Sequence, residues 1–196
     1  KTFNFMATIL YTQLFNLLCE KADLEYKGRL PVHVHCILDE FSNLGRIPDF
    51  EILISTIRSR EISASIILQS LAQLKSTYDK QADIISDNCD SLLFLGGKGK
   101  DTLKEISELL GKETIDYYYT NDTRGNNPSY GVTYQIAGRD LFTPDELGRL
   151  PGDKCVLLIK GVKPFFSNKY DITKHPRYKY LADEHPEFRF DLAYEM

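Results

Sequence analysis

Residues 34–40 read Val34-His35-Cys36-Ile37-Leu38-Asp39-Glu40 and decide how the rest of the chain is interpreted. A largely apolar run is typical of a buried strand, and this one ends abruptly in two adjacent acids. A second apolar run, residues 62–68, ends at Gln69, and a helical pattern over 48–60 lies between the two runs. Strands that alternate with helices predict βαβ crossovers, and hence an α/β fold with a mostly parallel sheet and flanking helices.

The polar residues at the ends of these strands are candidates for ligand binding or catalysis. In a parallel α/β sheet, ligands bind beyond the carboxyl ends of the strands. Because adjacent strand residues point to opposite sides, Asp39 could hold a magnesium ion, directly or through water, while Glu40 activates a water molecule. This is the Walker B arrangement of ATPases, and Gln69 could position water or sense a γ-phosphate. The alternative is that both strands simply run out into solvent.

Two arginines, Arg58 and Arg60, lie near the end of the helix between the strands. An arginine supplied across a subunit boundary can stabilise charge on a transferring phosphoryl group. Arginines in a last helical turn also interact favourably with the helix dipole and with water. The two residues alone leave both interpretations open.

The remaining pattern divides the chain into four parts. We expect a leading helix over 3–23, an α/β core over 30–111, a β-rich extension over 112–170 and an extended tail over 171–196. Within the core, a helix is predicted over 71–87, a strand over 92–95 and a helix over 102–110. Within the extension we predict a hairpin of residues 114–120 with 130–136, a capping box at Thr143 and Glu146, and a hairpin of 154–160 with 164–170.

Composition limits the class of protein. The chain has 196 residues, of which 42% are hydrophobic and 27% charged, as in a soluble globular domain or a large piece of one. A net charge of −4 argues against an overall basic nucleic-acid binder, although a local basic patch stays open. The four cysteines include no CxxC pair, which predicts reduced thiols. No run of about 18 apolar residues is present to span a membrane.

An ordered run shows a family resemblance. The stretch Leu38-Asp39-Glu40-Phe41-Ser42-Asn43-Leu44-Gly45-Arg46-Ile47-Pro48-Asp49-Phe50 resembles the Walker B block of the VirD4/TraG/TraD coupling proteins. Those ATPases hand a relaxase-bound DNA strand to a type IV secretion channel during conjugation. The resemblance covers most of the chain and is quite specific over 38–74; it continues through residues 56–62, 67–74, 88–90, 95–97, 147–151 and 164–166.

The resemblance implies a RecA-like P-loop ATPase with ATP and Mg²⁺ as cofactors. Asp39 would be the magnesium-associated acid, Glu40 the catalytic glutamate and Gln69 the γ-phosphate sensor. Arg58 matches the position of a candidate arginine finger, and Arg60 is the weaker candidate. The implied partners are single-stranded DNA, relaxase and relaxosome proteins, components of the secretion channel and five further copies in a homo-hexamer. The implied location is the cytoplasmic side of the bacterial inner membrane.

One family motif is missing. The sequence contains no Walker A loop, GxxxxGK followed by Ser or Thr; the nearest stretch, residues 96–102, has the wrong spacing and puts Asp101 where a hydroxyl should bind magnesium. In the family, the membrane anchor and the Walker A strand both come earlier in the chain. We therefore expect the C-terminal part of a nucleotide-binding domain, with an incomplete sheet and no ATPase activity of its own.

Two other functions are considered. One is a non-hydrolysing recruitment domain that binds relaxosome proteins, although such a domain would not need Glu40, Arg58 and Gln69 together. The other is an FtsK- or HerA-like DNA pump, against which the stretch 41–50 favours the conjugative family.

Weaker sites complete the sequence-based hypotheses. His33 and His35 share one face of their strand and could hold a metal or simply pack. Tyr117-Tyr118-Tyr119 could stack on single-stranded DNA, or could be ordinary strand residues. The 121–129 loop with Arg124 could line a pore.

Overall fold

A computed structural model describes residues 4–123, 129–182 and 185–189. Within these ranges, side chains are described for all residues except 120–131 and 133. The helices are α1 (Asn4–Glu20, extended by the π-helical turn Lys21–Glu25), α2 (Phe50–Thr56, extended by the 3-10 turn Ile57–Arg60), α3 (Leu71–Tyr78), α4 (Gln81–Asp87), α5 (Lys100–Leu110) and α6 (Pro144–Gly148). The strands are β1 (Val34–Leu38), β2 (Ile62–Ile66), β3 (Ser91–Phe94), β4 (Lys112–Thr123), β5 (Ser129–Asp140), β6 (Lys154–Ile159) and β7 (Phe165–Asn168). Short 3-10 turns are Phe41–Asn43, Ile172–Lys174, Tyr178–Tyr180 and Pro186–Phe188.

The first sheet is the predicted βαβ unit. Strands β1 and β2 pair in parallel, from Val34 opposite Ile62 to Leu38 opposite Ile66. The ladder continues past both strands, because the Ile67 N–H donates to the Leu38 carbonyl at 3.0 Å and the Phe41 N–H donates to the Ile67 carbonyl at 3.1 Å. The crossover through α2 is therefore confirmed, and the sheet positions the segment that follows Leu38.

The parallel sheet is smaller than predicted. Among the described strands, β1 and β2 make the single parallel pair, whereas β3 pairs antiparallel with β6 and β6 pairs antiparallel with β7. The expectation of a mostly parallel sheet was therefore wrong for this part of the chain. An apolar run such as Leu92–Leu95 predicts a strand, but it does not specify which partner the strand will pair with.

A first hydrophobic core supports the β1–β2 sheet. Its centre is an aromatic cluster in which Phe41 stacks on Tyr78 with ring centroids 5.5 Å apart and contacts Phe50 at 4.8 Å. All three rings are fully buried, and Phe15 of α1 adds a fourth. The Tyr78 hydroxyl accepts the Ile47 N–H at 3.1 Å, and burial raises the pKa of this phenol. Because burying one such ring contributes about 1.5–3 kcal/mol, the cluster fixes the loop after β1 firmly.

A second core lies between α5, α6 and the antiparallel sheet. Its buried members are Phe94, Leu103, Ile106, Leu110, Leu147 and Val156. The predicted capping box is confirmed, with the Thr143 hydroxyl accepting the Glu146 N–H and the Glu146 carboxylate accepting the Thr143 N–H. The predicted 154–160 and 164–170 hairpin is also confirmed as β6 and β7.

Three further expectations can be compared with the structure. The predicted hairpin of 114–120 with 130–136 is confirmed, but its strands extend to Lys112–Thr123 and Ser129–Asp140. The single helix predicted over 71–87 is two helices, because Asp79, with a φ of 51° and a ψ of −129°, ends α3. Within the described residues of the tail, 3-10 turns interrupt the extended chain. No helix in the described ranges is both long and apolar enough to cross a membrane.

Candidate active site

The carboxyl edge of the β1–β2 sheet collects three of the predicted site residues. Asp39 and Glu40 follow β1 directly, and the backbone ladder places them beside Ile67 of the neighbouring segment. Gln69 lies two residues beyond Ile67 at the same edge. The side chains of Asp39, Glu40 and Gln69 are all exposed. The structure therefore brings two carboxylates and one amide to a single open edge of the sheet.

The two acids form a sharp turn at the end of the strand. Glu40 has a φ of 48° and a ψ of 43°, the left-handed region that non-glycine residues seldom adopt. The Glu40 N–H donates to Oδ1 of Asp39 at 3.0 Å, which closes the turn locally. The carboxylate of Glu40 accepts a hydrogen bond from Nδ2 of Asn43 at 2.7 Å. The side chain of Glu40 is therefore held by a neighbour rather than left free in solvent.

Asn43 is the residue of this edge that sequence reasoning missed. It lies within the family-like run, and no spacing rule assigns a role to an Asn three residues after an acid. Its position in the 3-10 turn Phe41–Asn43 places its amide next to Glu40. The signal that could have found it is the ability of Asn and Asp to hydrogen-bond locally at turns.

Gln69 is positioned by the start of α3. Ser70 is the N-cap of this helix, its hydroxyl accepting the Gln73 N–H at 3.4 Å. The side-chain amide of Gln73 donates to Oε1 of Gln69 at 3.4 Å. Gln69 therefore sits between the end of the second strand segment and a capped helix, with its amide nitrogen available to a ligand at the edge.

The two arginines lie at the amino end of the strands, opposite the carboxyl edge. Arg58 and Arg60 belong to the 3-10 turn Ile57–Arg60, which leads into the amino end of β2. At about 3.3 Å per residue, the length of β1 puts this edge about 16 Å from Asp39. The structure does not bring Arg58 to the acids of its own chain.

The surroundings of Arg58 and Arg60 differ. Arg60 is 24% exposed and donates through Nε and Nη2 to Asp23 at 2.9 and 2.8 Å, and this pair lowers the pKa of the Asp23 carboxyl. Arg58 is 87% exposed, and its contact is a 3.4 Å ion pair with Asp90, which also lies 4.0 Å from Lys160. Arg60 therefore holds α1 against α2, and Arg58 is the more exposed of the two arginines, with a longer ion pair.

Magnesium fits the acids only together with a nucleotide. In the part of the chain that is described, no group of three His, Cys, Asp or Glu could hold a metal ion. Mg²⁺ in nucleotide sites takes one or two carboxylates and fills its other positions with phosphate oxygens and water. The exposed carboxylate of Asp39 meets that requirement, and its oxygen chemistry suits this ion.

The histidine pair is engaged by β2. His33 contacts Glu61 through Nδ1 at 2.9 Å and Ser63 through Nε2 at 2.8 Å, while His35 contacts Ser65 through Nε2 at 2.8 Å. Glu61 also accepts a hydrogen bond from Arg29, and its hydrogen bonds with His33 and Arg29 lower the pKa of its carboxyl. The two rings share a face as predicted, and they form cross-strand hydrogen bonds rather than a metal cluster.

The tyrosine run does not form one surface. Tyr117 and Tyr119 lie on one face of the β4–β5 hairpin with ring centroids 6.3 Å apart, and Tyr118 lies on the other face at 5.4 Å from Tyr134.

Arg124, predicted to line a pore, lies outside the described residues. In the glycine-rich stretch, Thr102 uses its hydroxyl to accept the Leu71 N–H at 3.3 Å, so it packs α5 against α3.

Comparisons with known proteins identify the family of this chain. Residues 33–152 match the family described as the TraM recognition site of TraD and TraG. The conjugal transfer protein TraG of Escherichia coli is 29% identical over 162 residues, which are 76% of this chain and 25% of that protein. The type IV secretion system-coupling protein VirD4 of Bartonella quintana is 30% identical over 148 residues, 73% of this chain and 22% of that protein. The chain thus spans about a quarter of these relatives.

Solved structures show the same fold. The plasmid coupling protein TrwB in complex with the GTP analogue GDPNP has a TM-score of 0.62 at 17% identity, covering 89% of this chain and 40% of that one. TrwB in complex with ADP and Mg²⁺ has a TM-score of 0.55 at 19% identity, covering 74% and 33%. These likenesses show that the described residues share the fold of part of TrwB.

Proposed function

Because this chain belongs to the family of the TraM recognition site of TraD and TraG, we propose that it is part of an ATP-driven conjugative coupling protein. It forms the C-terminal part of a RecA-like nucleotide-binding domain that moves relaxase-bound single-stranded DNA into a type IV secretion channel. The observation that carries the proposal is the shared carboxyl edge, where Asp39, Glu40 and Gln69 lie together beyond two parallel strands.

Each residue of the edge has a defined task in this proposal. Asp39 would hold the magnesium ion, and a bound ion would supply positive charge that offsets the charge of the ATP phosphates. Glu40 orients the attacking water and takes its proton as a general base. Gln69 contacts the γ-phosphate and helps to place the water. The turn at Glu40 supports this assignment, since strained non-glycine residues concentrate at functional sites.

Arg58 acts on the nucleotide of a neighbouring copy. It lies about 16 Å from the acids of its own chain, so its guanidinium reaches a phosphate only across a subunit boundary. A homo-hexameric ring supplies that boundary. The 87% exposure of Arg58, beside an Arg60 held by Asp23, supports its choice as the arginine finger.

The chain needs the rest of the coupling protein for activity. Its sequence has no GxxxxGK[ST] loop, whose backbone amides and lysine hold the phosphates. We expect negligible hydrolysis by these 196 residues alone. The complete protein works at the cytoplasmic side of the inner membrane, where it meets relaxosome proteins and the channel.

A recruitment function is the second candidate. The matching family is described as a recognition site for another protein, TraM, and its range includes the β4–β5 hairpin with exposed aromatic side chains on both faces. In this reading the hairpin contacts a relaxosome protein and the carboxyl edge is not used for hydrolysis.

The test is DNA-stimulated ATP hydrolysis by the complete coupling protein and its Glu40→Gln variant. The variant should lose about 10²-fold or more of the rate while ATP binding persists, because a general base contributes 10²–10⁴-fold. Glu108→Gln is the matched control, since Glu108 is an exposed residue of α5 that pairs with Lys104 at 3.8 Å. If the wild-type protein never hydrolyses ATP, or if Glu40→Gln hydrolyses normally, the motor assignment fails and recruitment remains.

A further inference from the structure

We propose that Asn43 is a positioning residue that holds the Glu40 carboxylate in its working orientation, an inference that rests on the proposed function. Two bonds link the residues: Nδ2 of Asn43 donates to Oε2 of Glu40 at 2.7 Å, and the Asn43 N–H donates to the Glu40 carbonyl at 2.7 Å. The first depends on the asparagine amide and the second on the backbone alone. A side-chain substitution can therefore remove the first bond and leave the second.

Helix α1 fixes Asn43 from the other side. Nδ2 of Asn4 donates to the Asn43 carbonyl at 2.6 Å, and the Thr8 hydroxyl donates to the Leu44 carbonyl at 2.8 Å. Gly45 completes the contact, because it has a φ of 86° and a Cβ there would lie 3.0 Å from the Thr8 hydroxyl. The first turns of α1 thus tie down the backbone of residues 43–45, and the amide of Asn43 is presented to Glu40 from an anchored position.

This arrangement restricts the conformational freedom of the Glu40 side chain. Glu40 is exposed and its side chain has three rotatable bonds, so without a partner its carboxylate would sample several rotamers. The Asn43 amide occupies Oε2 and leaves Oε1 to accept a proton from water. Orientation of a reacting group contributes strongly to rate, and a small misplacement of it is costly.

The experiment uses the complete coupling protein and the variants Asn43→Ala, Asn43→Asp and Asn43→Gln. With the amide removed by Asn43→Ala, kcat should fall about tenfold while KM for ATP and the melting temperature stay close to wild type. Asn43→Asp has nearly the same shape without the donor and should lose at least as much. Asn43→Gln retains the amide on a longer arm and should recover part of the rate.

A double variant separates positioning from a structural role. Single-turnover hydrolysis by Glu40→Gln should not fall further when Asn43→Ala is added, because Asn43 acts through the Glu40 carboxylate. A further loss in that background, or a loss accompanied by weaker ATP binding, would overturn the inference. An unchanged kcat in Asn43→Ala beside a collapsed rate in Glu40→Gln overturns the inference and leaves the proposed function standing. A normal rate in Glu40→Gln overturns both.

Discussion

The carboxyl edge of the β1–β2 sheet and the β4–β5 hairpin are supported in opposite ways. The edge stands on fully buried rings, since Phe41 follows Glu40 directly and packs against Phe50 and Tyr78. The hairpin has twelve-residue strands and exposes aromatic and apolar side chains along both faces, with Tyr118 at 68% on one face and Tyr119 at 53% on the other. A two-stranded hairpin is only marginally stable by itself. In the proposed function, the reacting groups therefore lie on the element with the buried support, and the candidate surface for contacts with other molecules lies on the exposed hairpin.

The charged residues of the hairpin bear on which partner it could bind. The basic residues at the base of the hairpin are already paired, Lys112 with Asp140 at 3.8 Å and Arg139 with Glu146. Binding to the nucleic-acid backbone depends on basic residues that are available to phosphates. Within the described residues, the hairpin is therefore better suited to bind a protein than to bind DNA. Stacking of Tyr117 and Tyr119 on single-stranded DNA stays a prediction.

The largest expected effect concerns the two edges of the sheet. In the complete protein, Arg58→Ala should reduce DNA-stimulated hydrolysis by about 10³-fold, because an arginine finger is worth 10³–10⁵ in rate. Since the arginine is supplied in trans, mixing Arg58→Ala subunits with inactive Glu40→Gln subunits should restore part of the activity. Steady-state hydrolysis across mixing ratios measures both effects.

Arg60→Ala is the matched comparison for that experiment. Its guanidinium is bound to Asp23, so this variant should lower the melting temperature but keep its hydrolysis rate, and mixing it with Glu40→Gln subunits should not raise that rate. Complementation by Arg60→Ala but not by Arg58→Ala would reverse the assignment of the two arginines. No recovery in any mixture would mean that neither arginine acts across a boundary.

The second prediction compares the core with the hairpin. Phe50→Ala should lower the free energy of unfolding by about 3–5 kcal/mol, because it leaves a cavity in the aromatic cluster. Tyr118→Ala on the exposed hairpin face should change it by less than about 0.5 kcal/mol. Urea unfolding of this chain, followed by circular dichroism, measures both values. Equal losses would show that the hairpin is covered in solution and that the contrast between the regions is wrong.

The sequence identified the local elements of the site better than their assembly. An apolar run that ends in Asp39-Glu40 and a second that ends in Gln69 were enough to predict the parallel pair and the shared edge, because a βαβ unit fixes both. The pairing of β3 with β6 could not be predicted, since Leu92 and Leu158 are apolar residues that would suit many partners. Tertiary packing made that choice.

Backbone conformation accounts for the other differences. Glu40 and Asp79, which both have a positive φ, form the turn after β1 and the break between α3 and α4. Neither has a glycine or proline beside it that would signal the turn. Asn43 depends on the first of these turns for its contact with Glu40. Local strain of this kind is determined by the surrounding packing and was therefore not visible in the periodicity.

A smaller effect is expected at α6, where a capping box supports the second core. Thr143→Ala should cost about 1 kcal/mol of stability, because it leaves the Glu146 N–H without its N-cap acceptor. Thr143→Ser keeps the hydroxyl and should recover most of the loss. Urea midpoints of the three proteins test this, and identical midpoints for the alanine variant and wild type would show that α6 does not depend on its cap.

The smallest effect is the pH dependence of the same capping box. Hydrogen bonds from Thr143, first from its N–H and then from its hydroxyl, together with the charge of Arg139, hold the pKa of Glu146 below its ordinary value of 4.5. A carboxyl whose pKa is lower in the folded state stabilises the fold above that ordinary value, and the stabilisation is lost as pH falls through the lowered pKa. Wild type should therefore melt above Glu146→Gln at pH 7, and the difference should disappear as the pH is lowered below 4.5. The exposed Glu108→Gln serves as the background in the same pH series. A difference between wild type and Glu146→Gln that grows on acidification would mean that the carboxylate is not what closes the box.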